Sequence, residues 1–203
     1  LDGGHLNVEA NGQYVDTGTI IGGDAADLIT VAGTLSAVGT IFLGDGANQI
    51  VVTAGGSLSA ASVVLGLDAD LVKIGTGGTW FLNAGAILGN VDMGTGDDAF
   101  ALVIGGSVGG TIDGGEGTDS LILGGTGAQG FNLSTIVRIE TIDKRDAGTW
   151  TLTGNATVDQ VVVRAGRLIL DIGASLTAPT ASVAAGARLD VDGALTGSLD
   201  IAA

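Results

Sequence analysis

Thr111-Ile-Asp-Gly-Gly-Glu-Gly-Thr-Asp-Ser-Leu-Ile-Leu123 places a glycine-rich turn, closed by Asp119, directly before a short aliphatic run. The same phrase precedes it as Gly23-Asp-Ala-Ala-Asp27, Gly44-Asp-Gly-Ala-Asn48, Gly66-Leu-Asp-Ala-Asp70 and Gly94-Thr-Gly-Asp-Asp98. Its closing residues Asp27, Asn48, Asp70, Asp98 and Asp119 are spaced by 21, 22, 28 and 21 residues. A recurrence in this range marks a solenoid, in which each repeat is one coil. Asp16 fits a degenerate earlier coil.

The runs between the turns decide the type of coil. Gly39-Thr-Ile-Phe-Leu43 and Ser62-Val-Val-Leu65 are short, rich in β-branched residues and bounded by Gly, Asn or Asp, as strands are. No stretch holds a helical period over three turns. Stacked coils of this kind pair strand on strand in parallel and bury a column of Val, Ile and Leu. The expected fold is therefore all-β, a right-handed parallel β-helix, with a β cap at its C-terminal end. The 28-residue spacing predicts a coil enlarged by about seven residues around Gly75–Asn83. Trp80 and Phe81 lie in that insertion, and adjacent strand residues face opposite ways, so both cannot point inward.

Composition agrees. The 203 residues include 38 Gly, one Pro and no Cys, with 45% hydrophobic residues but 3% aromatics. Glycine without a three-residue period excludes collagen, and the aliphatic content is enough for a core of narrow layers. The net charge is −15. Residues 1–137 hold 14 acids against one base, Lys73, and residues 138–203 hold 8 acids against 6 bases. Such a surface repels polyphosphate, so no nucleic-acid partner is expected. The charge break divides the chain into acidic coils over 1–137 and a differently charged C-terminal unit over 138–203. A solenoid exposes its column at its ends, so the second unit reads as the cap.

At the level of whole phrases the chain resembles the passenger domains of bacterial type V autotransporters, particularly the adhesin type. Met93-Gly-Thr-Gly-Asp-Asp-Ala-Phe100 and Thr111–Leu123 are similar to passenger coils. Ile139-Glu-Thr-Ile-Asp-Lys144, leading to Ala147-Gly-Thr-Trp-Thr-Leu-Thr-Gly154, resembles the passenger-associated repeat, and Val161–Leu170 its closing strand. The family pattern has Gly where Asp146 stands, and Asp can take the same left-handed conformation. The region C-terminal to Leu170 resembles the autochaperone segment. The resemblance implies export through the periplasm and outer membrane to the cell surface or beyond, past the protein's own C-terminal outer-membrane β-barrel. It implies a C-terminal region that promotes folding and export. It also implies adhesion to a host-cell protein or glycan, or self-association between bacteria.

Other site readings come from the residues themselves. Gly114-Gly-Glu-Gly-Thr-Asp-Ser-Leu-Ile122 matches a calcium-binding nonapeptide. Stacking would bring Asp98 and Asp119 to one strand spacing, ~4.8 Å. The copies recur once per coil and not every nine residues, so solvated turn aspartates are the expectation and calcium the alternative. An enzyme of the polysaccharide lyase or hydrolase type would need a carboxylate pair or a base beside calcium. The pairs Asp68/Asp70, Asp97/Asp98 and Asp190/Asp192 all sit at corners, Lys73 is the one base among the acidic coils, and His5 is the one histidine. No catalytic residue is assigned. Trp80 is expected to pack against a neighbouring coil, with a binding contact for a protein or glycan as the alternative. Trp150 is expected to cover the end of the column, with Lys144, Arg145, Arg164, Arg167 and Arg188 facing water or the acidic coils.

Overall fold

The computed structural model describes residues 1–46, 48–53, 57–64, 71–74, 80–83, 86–87, 90–93 and 95–202. They form a β-solenoid of about eight turns. Every strand pairing among them is parallel, and the one helical element is a 3-10 turn at Leu133–Thr135. A twelve-stranded sheet runs the length of the solenoid, from Gln13–Asp16 to Ala194–Ile201. A seven-stranded sheet accompanies it from His5–Val8 to Ile136–Val137. A four-stranded sheet, Ala128–Asn132, Thr149–Thr153, Arg167–Leu170 and Arg188–Val191, takes over as the second wall. The coils on either side of Arg138 pair directly, Ser120 with Thr141 and Leu123 with Lys144.

Alternation along many of the strands builds the column, while Ala99–Val103, Ser120–Gly124 and Thr141–Lys144 bury consecutive residues. Leu28–Val31 and Gln49–Val52 bury every second residue, stacking Ile29 on Ile50 and Val31 on Val52. Phe100, Leu121, Ile142, Val161 and Ala181 form one continuous stack through five coils. All are at most 3% exposed, so small and branched aliphatics fill a coil interior too narrow for many rings.

The register overturns one expectation. Leu71 pairs with Asn90, 19 residues on, and Trp80 with Ala99, also 19 residues on. No enlarged coil separates Asp70 from Asp98. The phrase instead changes corner: Asp27 and Asn48 precede strands of the seven-stranded sheet, whereas Asp98 and Asp119 precede strands of the twelve-stranded one. Its 28-residue interval is one coil of 19 residues plus the step from one sheet to the next.

Candidate functional site

At a corner the chain leaves the ladder, and each backbone N–H there needs another acceptor. The closing residues supply it between coils. Asp27 N–H donates to Asn48 Oδ1 at 2.9 Å, Asp98 N–H to Asp119 Oδ1 at 2.8 Å, and Asp119 N–H to Glu140 Oε2 at 2.7 Å. Asp27 Oδ1 in turn accepts from Gly3 and Gly4 N–H, at 2.7 and 2.9 Å. Each side chain thus clamps the coil before it. The solvated-turn reading is corrected by burial: Asp27, Asn48, Asp98 and Asp119 are all at most 2% exposed. They are buried because the N–H groups they serve lie inside the stack.

Asn48 and Asp119 occupy matched turns. Gly44 and Gly46 have φ of 75° and 96°, and Gly115 and Gly117 have 96° and 139°. These are left-handed conformations that glycine adopts without a Cβ penalty. Asn48 uses its amide to donate to Gly44 O at 3.0 Å. A carboxylate has no such donor. Oδ2 of Asp27 and Oδ2 of Asp119 are buried without a hydrogen-bond partner. Gly22 and Gly114 lie against them, and a Cβ at either glycine would overlap backbone of the next coil, Leu43 or Arg138. Burial drives the Asp119 carboxyl up to about 6 from its ordinary 3.8, and Glu140, Asp98 and Asp97 add repulsion, against the N–H bond from Asp98.

This geometry suits a proton better than calcium. One oxygen of Asp119 is committed to Asp98 N–H, and the other is enclosed against backbone at Gly114. Among the described residues no three carboxylate or imidazole side chains converge on one point, whereas calcium takes six to eight oxygens.

Asp97 and Asp190, one from each described pair, are engaged within the fold. Asp97 Oδ1 accepts Thr118 N–H at 2.9 Å while Asp98 is buried. Asp190 is held by Arg188 and Arg167, which keep its carboxyl below the usual carboxylate range. Asp68 and Asp70, and the side chains of Lys73 and Trp80, lie outside the described residues; the Trp80 backbone begins the strand Trp80–Asn83. His5 Nε2 lies 3.0 Å from Thr30 Oγ1 on the exposed edge.

Two residues of the C-terminal unit differ from expectation. Trp150 is fully buried, its Nε1–H donating to Gly124 O at 3.0 Å. It stacks between Gln129 and Leu168, and Leu189 comes next, so it fills the column and does not close its end. Lys144 is also fully buried, contrary to the expectation that it faces water or the acidic coils. Its Nζ donates to the carbonyls of Arg145, Asp146 (2.8 Å) and Ala165 (3.0 Å). Burial lowers its pKa, with Asp146 opposing. The ammonium replaces water for carbonyls that the turn at Asp146 directs inward. Asp146 itself has φ of 56°, the left-handed conformation expected of it.

Fold and site together define a parallel β-solenoid whose corners are clamped by buried acids and amides. Comparison with family models, with curated proteins and with solved structures finds no match for the chain.

Proposed function

We propose that this chain is a structural, non-enzymatic scaffold of a bacterial surface or secreted protein, an autotransporter passenger segment. Its long faces serve adhesion or host-cell interaction. Its residues 138–203 promote folding and export, past a C-terminal outer-membrane barrel of the same protein. The observation that supports it best is the continuous coil-on-coil pairing of Ser120–Gly124, Thr141–Lys144 and Gln160–Val163 in the twelve-stranded sheet, across the segment that resembles the passenger-associated repeat. Among the described candidates, Asp97 is committed to an N–H group and Asp190 to two arginines, which favours a scaffold.

Display of the chain on a non-adherent bacterium tests adhesion: the expected result is attachment to host cells or settling of the bacteria. Neither, with the chain shown to be folded at the surface, would overturn the reading. Reducing-sugar release from acidic polysaccharides would replace it with an enzyme. For the folding role, residues 1–137 alone should refold more slowly or in lower yield than the full chain; equal refolding would contradict it.

A further inference from the structure

Five of the seven bases of this acidic chain, Lys144, Arg145, Arg164, Arg167 and Arg188, gather where the twelve-stranded sheet meets the four-stranded one. Register places them in two ladders. Arg145 and Arg164 come directly after the paired residues Lys144 and Val163, and Arg167 pairs with Arg188. Each ladder is built around one carboxylate. Asp143, its side chain 5% exposed, accepts from Arg145 Nε at 2.9 Å and from Arg164 Nε at 2.9 and 3.1 Å. Asp190 accepts from Arg188 Nε at 2.6 Å and from Arg167.

The acids are covered while the guanidiniums are not: the arginine side chains are 48, 58, 44 and 67% exposed in chain order. One carboxylate per two arginines leaves each ladder with a surplus positive charge. Arg164 and Arg188 are held by Nε, and Arg145 and Arg167 by Nε and Nη2, which fixes each guanidinium and leaves its Nη1 side for a ligand. Lys144 adds a buried charge beneath them. The other acid at this corner, Asp146, accepts Gly125 N–H at 2.8 Å. Five bases thus stand against three acids, on a chain whose net charge is −15.

We propose that this corner binds an acidic glycan whose carboxylates are separated by neutral sugars. Planar guanidinium forks match carboxylates bidentately. Two isolated positive centres suit spaced single charges. A duplex with one charge per ~1.7 Å would meet the repulsion of the surrounding acidic coils along its length. Trp150 is buried, so it presents no surface for stacking unpaired bases. The proposal rests on the scaffold reading and supplies its ligand class. Its test uses purified protein, so its failure leaves the cell-adhesion test untouched.

Hyaluronate oligosaccharides, dextran and duplex DNA are titrated into the full chain by calorimetry at ~50 mM and ~150 mM salt, bracketing the Debye lengths that matter here. Hyaluronate is expected to bind, more weakly at the higher salt, and dextran and DNA are not. The double variants Arg145→Gln/Arg164→Gln and Arg167→Gln/Arg188→Gln should each weaken binding about tenfold or more. Arg145→Lys/Arg164→Lys, which keeps the charge and loses the fork, should also weaken it. Arg138→Gln, a loss of one positive charge elsewhere, should not. The Arg167/Arg188 pair stands on the less buried carboxylate, Asp190, and keeps the test valid should Arg145→Gln/Arg164→Gln fail to fold. No binding of hyaluronate, equal binding of dextran, tighter binding of DNA, or an equal loss in Arg138→Gln overturns the proposal.

Discussion

Replacing Asp119 by Asn should stabilise the protein at neutral pH, although it removes a buried charge that accepts a hydrogen bond. The reason is the contrast with Asn48. Asn keeps an oxygen for the N–H of Asp98, as Asn48 does for Asp27. It also converts the unpartnered Oδ2 into a donor, which the matched turn meets with the carbonyl four residues earlier, Gly44 in one case and Gly115 in the other. The rise of the Asp119 carboxyl from 3.8 to about 6 corresponds to about 3 kcal/mol of penalty on its ionised form at pH 7.5. Loss of the charge-assisted bond offsets part of the gain, leaving about 1–2 kcal/mol. For a chain of this length that is a rise of about 2–8 °C in Tm. At pH 4 the wild-type carboxyl is largely protonated in the folded state, and the difference should shrink toward zero. Thermal denaturation monitored by circular dichroism at both pH values measures it. A lower Tm for Asp119→Asn at pH 7.5, or the same gain at pH 4, would refute the reasoning.

The same geometry sets further outcomes. Because the folded pKa of Asp119 is raised, its contribution is fully present below pH ~4 and is lost as pH rises through about 6, so the wild type should melt higher at pH 5 than at pH 7.5. Trp150→Ala should cost about 3–5 kcal/mol through a cavity inside the column, and more than Trp80→Ala; equal or reversed shifts of the denaturation midpoint would contradict this. Lys144→Met strands three carbonyls and should lower stability by about 2–4 kcal/mol, read as a drop in denaturant midpoint. Tm in calcium should equal Tm in chelator, since among the described residues no three carboxylate side chains converge at Asp119; a rise with calcium would refute that assignment.

The solenoid is legible in the sequence because its cause is periodic. Turn, strand and closing Asp or Asn recur through residues 23–123, and the burial of Ile29, Ile50 and Val161 follows the alternation of their strands. The corner switch is not legible. A Gly-x-Gly-x-Asp turn needs only a local left-handed bend and a strand after it, so the phrase is equally at home before either sheet. Its 28-residue interval therefore looks like an insertion. The burial of Asp119 is hidden for a different reason: the N–H it serves belongs to Asp98, 21 residues earlier, and is oriented by the stack and not by its neighbours in sequence. Lys144 misleads similarly, since a base in a polar stretch gives no sign that carbonyls of two coils will enclose it. The positive φ of Asp146 can be read in advance, because it depends on the turn alone.

Register is the claim on which the clamped corners and the arginine ladders both depend, and the absence of cysteine allows it to be tested cleanly. Paired residues on adjacent coils bring Cα atoms within disulfide reach, roughly 4.4–6.8 Å. Cysteines at positions 71 and 90, register partners in the seven-stranded sheet, should oxidise to an intramolecular disulfide. Cysteines at 71 and 99, in phase by the repeated phrase but in different sheets, should not. A disulfide from the second pair and none from the first would contradict this register of the coils.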